Sequence, residues 1–197
     1  MPRISADSIA EHVARQQAAV FEAAIGLFVE HGYEAVSLND IAAEVGLARS
    51  SLYRYFPDKA HILLKWLRQE LPEQVRLAHL VLTGDGPPAA RLQRWADAQM
   101  DYARRPEHGL VAALADLAPQ LDDGARAELA DSHRQLGEPL LRVLAEAGVP
   151  PDEQPAAGEL LSGLVLLAAR VEGRHPDDPM PRRVVAGAIA TLTARRA

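Results

Sequence analysis

Residues 39–59 read NDIAAEVGLARSSLYRYFPDK, and the punctuation of this stretch decides the fold. Leu38, Ile41, Ala42 and Val45 recur at helical spacing, and Gly46 ends that helix because glycine tolerates the left-handed conformation of a sharp reversal. Upstream, Ser37 stands at the N-cap position. Asp40, three residues on, returns a hydrogen bond as a short version of the capping box. A second helix is expected over about residues 49–56, with Leu52 facing the first. Pro57 closes it, since the residue before a proline avoids helical geometry, and Asp58 caps a longer helix. The product is helix, tight turn, helix.

In such a unit the first helix braces the second, whose N-terminal side chains reach base edges in the major groove. Residues three and four apart share a helix face, so Arg49, Ser50, Tyr53 and Arg54 are expected to point outward. The chain carries a net charge of −6, which opposes indiscriminate binding to nucleic acid or anionic membrane. Residues 48–68 nevertheless hold Arg49, Arg54, Lys59, Lys65 and Arg68 against a single acid, Asp58. Arginine pairs bidentately with guanine, and hydroxyls donate to phosphate oxygens. Lys59 stands just inside a helix start, where backbone N–H groups and the helix dipole also favour a phosphate. A solvated surface would explain any one of these residues; a duplex explains the set.

Elsewhere the apolar spacing is helical and no segment alternates long enough for a strand, so the chain is expected to be all-α. Its 197 residues, 48% hydrophobic and 24% charged, suit a globular protein. Further helices are expected from after Asp7 or Ser8 to His31 and at about 58–82, 88–105, 107–118, 123–147, 156–172 and 181–195, with Pro72 kinking or splitting the second of these. Residues 1–6 read as a loose arm. Residues 1–58 form the helix-turn-helix domain and 59–197 a larger helical one. There is no cysteine, no secretion leader is evident, and the most apolar run, Leu160–Ala169, is about half of the roughly 20 residues a membrane helix needs. A cytoplasmic protein without membrane partners is expected. Paired carboxylates beside histidine, nucleophile motifs, phosphate loops and metal spacings do not occur, and the seven histidines are scattered. An enzyme is therefore not expected, nor a cofactor or metal.

Residues 15–59 resemble the DNA-binding domain of the TetR family of bacterial transcriptional repressors. AAIGLFVEHGYEAVSLNDIAAEVGLARSSLYRYFPDKAHIL (23–63) carries the resemblance, with the Tyr-x-Tyr-Phe-x-x-Lys pattern of Tyr53, Tyr55, Phe56 and Lys59. The resemblance implies phosphate contacts from Ser37, Ser51, Tyr53, Tyr55 and Lys59, and base-edge roles for Arg49, Ser50 and Arg54. Asn39 would reach the backbone or a base. On that assignment Tyr53→Phe weakens binding to all DNA alike. Ala48 departs from the pattern, which often has a capping Ser or Thr there.

The resemblance also implies a homodimer reading an inverted-repeat operator on double-stranded DNA and released by a small-molecule effector. Its pocket would lie among the helices of residues 58–147, with Trp66, Trp95, Met100, Tyr102, Leu110, Leu114 and Leu141 as candidates and His108 and His133 as polar contacts. The helix at 156–172 is apolar around most of its circumference, so one side should face its own core and the other a second subunit. The resemblance implies a four-helix bundle between copies, with Leu160, Gly163, Leu164, Leu167, Ala168, Val171, Val185, Ala188, Ile189 and Leu192 at the interface. The alternative is a helical protein-interaction module without ligand control; it accounts for the apolar C-terminal helices and leaves the Arg/Tyr/Lys set without a purpose.

Overall fold

The computed structural model describes residues 6–117, 119 and 121–194. Among them are nine α-helices and no strand, as the all-α expectation requires: α1 Ala6–His31, α2 Leu38–Glu44, α3 Arg49–Leu52, α4 Lys59–Thr83, α5 Pro88–Ala103, α6 Gly109–Leu117, α7 Asp123–Glu146, α8 Gln154–Arg174 and α9 Met180–Thr193. A 3-10 turn, Pro106–His108, precedes α6. The expected arm of residues 1–6 lies outside the described residues except for Ala6, where α1 begins.

Two compact units emerge. The first comprises Met1–Gln69 and Gly109–Leu121, the second Glu70–His108 and Asp122–Ala197. α6 thus belongs with the first unit, against α1, and α4 contributes to both.

In the first unit the local signals act as their chemistry dictates. The backbone N–H of Asp40 donates to Ser37 Oγ at 3.2 Å, and the Ser37 backbone N–H donates to the Asp40 carboxylate at 2.8 Å, so both halves of the capping box are made. The Ser37 hydroxyl also donates to that carboxylate at 2.6 Å, and these bonds hold the Asp40 carboxyl below its usual range. At the other end of α2, Gly46 adopts φ 67°. Leu47 N–H reaches Ala42 O at 2.8 Å and Gly46 N–H reaches Ala43 O at 3.1 Å, a Schellman ending that satisfies two carbonyls. Ser37→Ala should lower the stability of this unit by about 1 kcal/mol, the usual worth of an N-cap, read as a fall in the midpoint of thermal unfolding.

Two helices differ from expectation. α3 ends at Leu52 rather than near Phe56, because Arg54 and Tyr55 bond back only three residues, to Ser51 and Leu52, tightening the chain ahead of Pro57. Of the kink or split expected at Pro72, the split does not occur, and α4 continues from Lys59 to Thr83. Buried residues hold it on both sides of the proline: Ile62, Leu63 and Trp66 before, Gln74, Ala78 and Leu82 after. Tertiary burial outweighs the roughly 3 kcal/mol that an interior proline costs.

In the second unit α8 packs against α5, α7 and α9. Its buried stripe of Ala157, Gly158, Leu161, Val165, Ala168 and Ala169 joins Leu92, Trp95, Ala96 and Met100 of α5 with Leu140, Val143 and Leu144 of α7. Gly158 permits the α7–α8 approach, since a Cβ there would stand 2.9 Å from Leu141. A charged cluster ties three helices together. Glu172 of α8, 7% exposed, accepts from Arg182 of α9 at 2.6 Å and lies 3.5 Å from Arg104, which follows α5. Arg182 also reaches Asp97 and Asp101 of α5, at 3.1 and 2.8 Å. Hydrogen bonds to Glu172 and Asp101 raise its guanidinium well above the usual arginine range.

Candidate nucleic-acid interface

α3 and the turn after it present one outward face. Arg49, Ser50, Tyr53 and Arg54 are exposed, Ser51 and Tyr55 half-buried, while Leu52 and Phe56 are buried. Helical spacing alone produces this division, since Leu52 and Phe56 are four apart on the inner side. Arg49 does not hang loose. Its Nη2 donates to the Tyr53 hydroxyl at 3.0 Å and its Nε lies 3.3 Å from the same oxygen, with the guanidinium 5.6 Å from the ring centroid. The planar guanidinium is thereby laid along the exposed edge of α3. Ala48 occupies the N-cap without a side-chain bond, so no side-chain oxygen covers the start of α3.

Ser37 and Asn39 are exposed at the start of α2. The Ser37 hydroxyl is engaged with Asp40, so a phosphate would have to compete for it. Lys59, the first residue of α4, is half-buried. Its ammonium donates to the Tyr33 carbonyl at 2.8 Å and sits 4.3 Å from the Tyr33 ring centroid. Burial, reinforced by Glu34 and Asp58, pushes the Tyr33 phenol up to about 12, so the ring beneath the cation stays neutral. One of three ammonium protons is committed to Tyr33, leaving two for another acceptor. Nothing in the sequence pointed to Tyr33, which stands 26 residues from Lys59. Lys65, part of the basic run, lies over Phe21 and Phe56 at 5.0 and 5.5 Å and so faces the edge of the core.

These residues flank an open cleft of about 580 Å³, lined by the α1–α2 link from Tyr33 to Ser37, by Leu38, Arg49 and the Asp58–Ala60 corner, and floored by Leu117 and Leu121. Cationic groups at its rim and a helix start at Lys59 suit an anionic backbone.

The second unit contains a cavity of about 230 Å³, walled by Ala78, Trp95, Gln99, His133, Leu136, Gly137, Leu140, Ser162, Val165 and Leu166. Of the residues expected in a pocket, the fold brings Trp95 and His133 here. The others lie elsewhere. Trp66, Leu110 and Leu114 are buried in the first unit. Met100 is closed inside the second unit's core, and Leu141 packs over Gly158. Tyr102 and His108 meet edge to face at 5.3 Å, away from the cavity lining. Burial, with Arg170 nearby, lowers the His108 imidazole. Gln99, Gly137 and Ser162 were missed because nothing in sequence distinguishes a polar residue facing a cavity from one facing solvent.

The apolar C-terminal helices divide by face. Ala168, Val185 and Ile189, expected at an interface, are buried in the core of their own unit. Leu160 is 73% exposed and Leu167 54%, Gly163 is open, and Leu164, Val171, Ala188 and Leu192 are half-buried. A groove of about 280 Å³ runs along Leu160, Leu161, Leu164, Ala188, Thr191 and Leu192. Among the described residues no helix is long and apolar enough to cross a membrane.

Residues 20–65 match the model of the family described as bacterial regulatory proteins, tetR family. The chain is 27% identical over 177 residues to the HTH-type transcriptional repressor LfrR of Mycolicibacterium smegmatis, a match covering 90% of this chain and 87% of that protein. It is 28% identical over 153 residues to the HTH-type transcriptional repressor KstR of Rhodococcus jostii, covering 75% of this chain and 68% of that one. In fold it is similar to the crystal structure of the TetR family transcriptional regulator PfmR from Thermus thermophilus, with a TM-score of 0.67, 23% identity, and coverage of 90% and 98%.

Proposed function

We propose that this chain, whose residues 20–65 match the model of the tetR family of bacterial regulatory proteins, acts in the cytoplasm as a homodimeric repressor. It grips an inverted-repeat operator and lets go when a small molecule enters its second unit. The observation that carries the reading is the exposed Arg49–Tyr53 pair on the outer edge of α3, held by two hydrogen-bonding distances at 3.0 and 3.3 Å. Arg49 reads a base edge, with Ser50 and Arg54 beside it. Ser37, Ser51, Tyr53, Tyr55 and Lys59 set the register on phosphates, and Asn39 reaches the same strand or a base.

Two recognition helices related by a two-fold axis require an inverted repeat. The exposed Leu160 and Leu167 with their adjoining groove support self-association through α8 and α9, since a contiguous apolar surface of this kind marks an interface. The effector acts by binding more tightly to the arrangement that does not fit the operator.

Selection of bound fragments from random duplexes should return an inverted repeat, and half-sites without symmetry would end the dimer reading. On that operator, Arg49→Ala should reduce discrimination against random DNA by about 1–3 kcal/mol, while Lys59→Ala weakens both alike. The Arg49–Tyr53 bond alters the expectation for Tyr53→Phe. The variant releases the arginine and should lose part of the same discrimination, and the double variant Arg49→Ala/Tyr53→Phe should lose less than the sum. Additive losses would leave Tyr53 a phosphate contact alone.

A further inference from the structure

We infer that the molecule taken by the second unit is small, uncharged and largely apolar, with one hydrogen-bonding group, and that it sits against Trp95 in the cavity between α5, α7 and α8. This rests on the ligand-responsive reading above and specifies its chemistry. Gly137 of α7 is part of the lining and leaves open space there. A Cβ built there meets no atom within 4 Å, whereas one at Gly158 of α8 would stand 2.9 Å from Leu141. At about 230 Å³ the cavity falls below the roughly 300–1,000 Å³ typical of drug-sized ligands.

The lining argues against charge. No Asp, Glu, Lys or Arg contributes to it. Several charged side chains on the same helices are committed elsewhere: Asp97, Asp101 and Glu172 to Arg182, Arg134 to Asp131, Arg142 to Glu138. An ion entering here would lose part of its hydration and find no counter-ion in the lining, and desolvation would oppose it.

The lining does offer hydrogen bonds, one from each of three helices. Gln99 of α5 and Ser162 of α8 make no hydrogen bond within the described residues through their side chains. Each can both donate and accept. His133 of α7 has its Nδ1 2.9 Å from the Leu129 carbonyl. A carbonyl only accepts, so Nδ1 carries the proton, and in the neutral ring Nε2 is left as an acceptor. A hydroxyl matches this set, being donor and acceptor at once, while the Trp95, Leu136, Leu140 and Val165 walls take the hydrocarbon.

The test is calorimetric titration of the full chain at neutral pH with hexan-1-ol, hexanoate and hexylammonium, which share one carbon chain and differ in charge. The alcohol should bind at least about tenfold more tightly than either ion. Gly137→Leu fills the cavity while replacing a helix-weakening residue, so it should keep its helical circular dichroism and lose the alcohol. Gln99→Leu should weaken the alcohol by about three- to tenfold, the worth of one hydrogen bond. An ion that binds as tightly as the alcohol, no binding by any of the three, or unchanged alcohol affinity in Gly137→Leu would each overturn the inference. Operator binding by the same wild-type preparation separates the two levels. If operator DNA is bound and the alcohol is not preferred, only this inference fails; if no DNA is bound, the regulator reading fails first.

Discussion

Operator affinity should fall by about a thousandfold between roughly 50 and roughly 200 mM salt. Arg49, Arg54 and Lys59 from each of two subunits supply six cations, and each cation brought against the duplex displaces condensed counterions whether it meets a base edge or a phosphate, giving a slope of log affinity against log salt of about −5. The structure supports all three as contributors. Arg49 and Arg54 are exposed and lose little hydration on contact, and Lys59 keeps donors beyond the one given to Tyr33. The rest of the chain is acidic, with a net charge of −6, and its repulsion of DNA is screened by the same salt, so a slope steeper than about −6 is not expected. Fluorescence anisotropy with a labelled operator measures this directly. A slope shallower than about −2 would mean that the basic face is not what holds the duplex.

The second large effect concerns stability. Arg182→Met should destabilise the second unit by about 3 kcal/mol, seen as a lower urea midpoint with an unchanged slope. Removing one partner of a buried pair costs roughly 3–5 kcal/mol because the other charge is left uncompensated. Glu172 is that charge, 7% exposed. Arg104, 3.5 Å from Glu172, retains part of the compensation and places the effect at the low end. The arms of Arg182 to Asp97 and Asp101 add little, since these partners are 41% and 67% exposed. Glu172→Leu combined with Arg182→Met should restore much of the loss, because neither charge then remains to be buried. If the single variant is neutral, the cluster is ornament and apolar packing alone joins α5, α8 and α9.

The first-unit helices and the candidate DNA face were largely legible from sequence, because what specifies them acts over a few residues. Ser37 and Asp40 make the start of α2 within a single turn, and Gly46 makes its end. Helical periodicity was enough to send Leu52 inward and Arg49, Ser50 and Arg54 outward, whereas Phe56, which spacing placed near Arg49 and Tyr53, is buried. The extent of α3 was not legible, because the tightening after Leu52 is a matter of hydrogen-bond geometry that residue types do not encode.

Everything that depends on which apolar surface meets which was open until the chain folded. Leu160 and Leu161 are identical side chains one residue apart, yet one is exposed and the other buried, because α5, α7 and α9 close over one side of α8 only. Val185 and Ile189 look like interface residues in sequence and are core in the fold for the same reason. α6 lies in the chain between helices of the second unit and packs with the first, taking Leu110 and Leu114 away from the expected pocket. The cavity beside Trp95 is bordered by Gly137, whose missing side chain has meaning only once α5 and α8 stand opposite. Sequence alone thus determined the helices, their caps and the outward cationic face, since bonds within a turn and periodicity along one helix need no partner. Which apolar faces are spent internally, which remain exposed, and where a ligand fits were decided by tertiary packing, since burial is a property of surfaces brought together from distant parts of the chain.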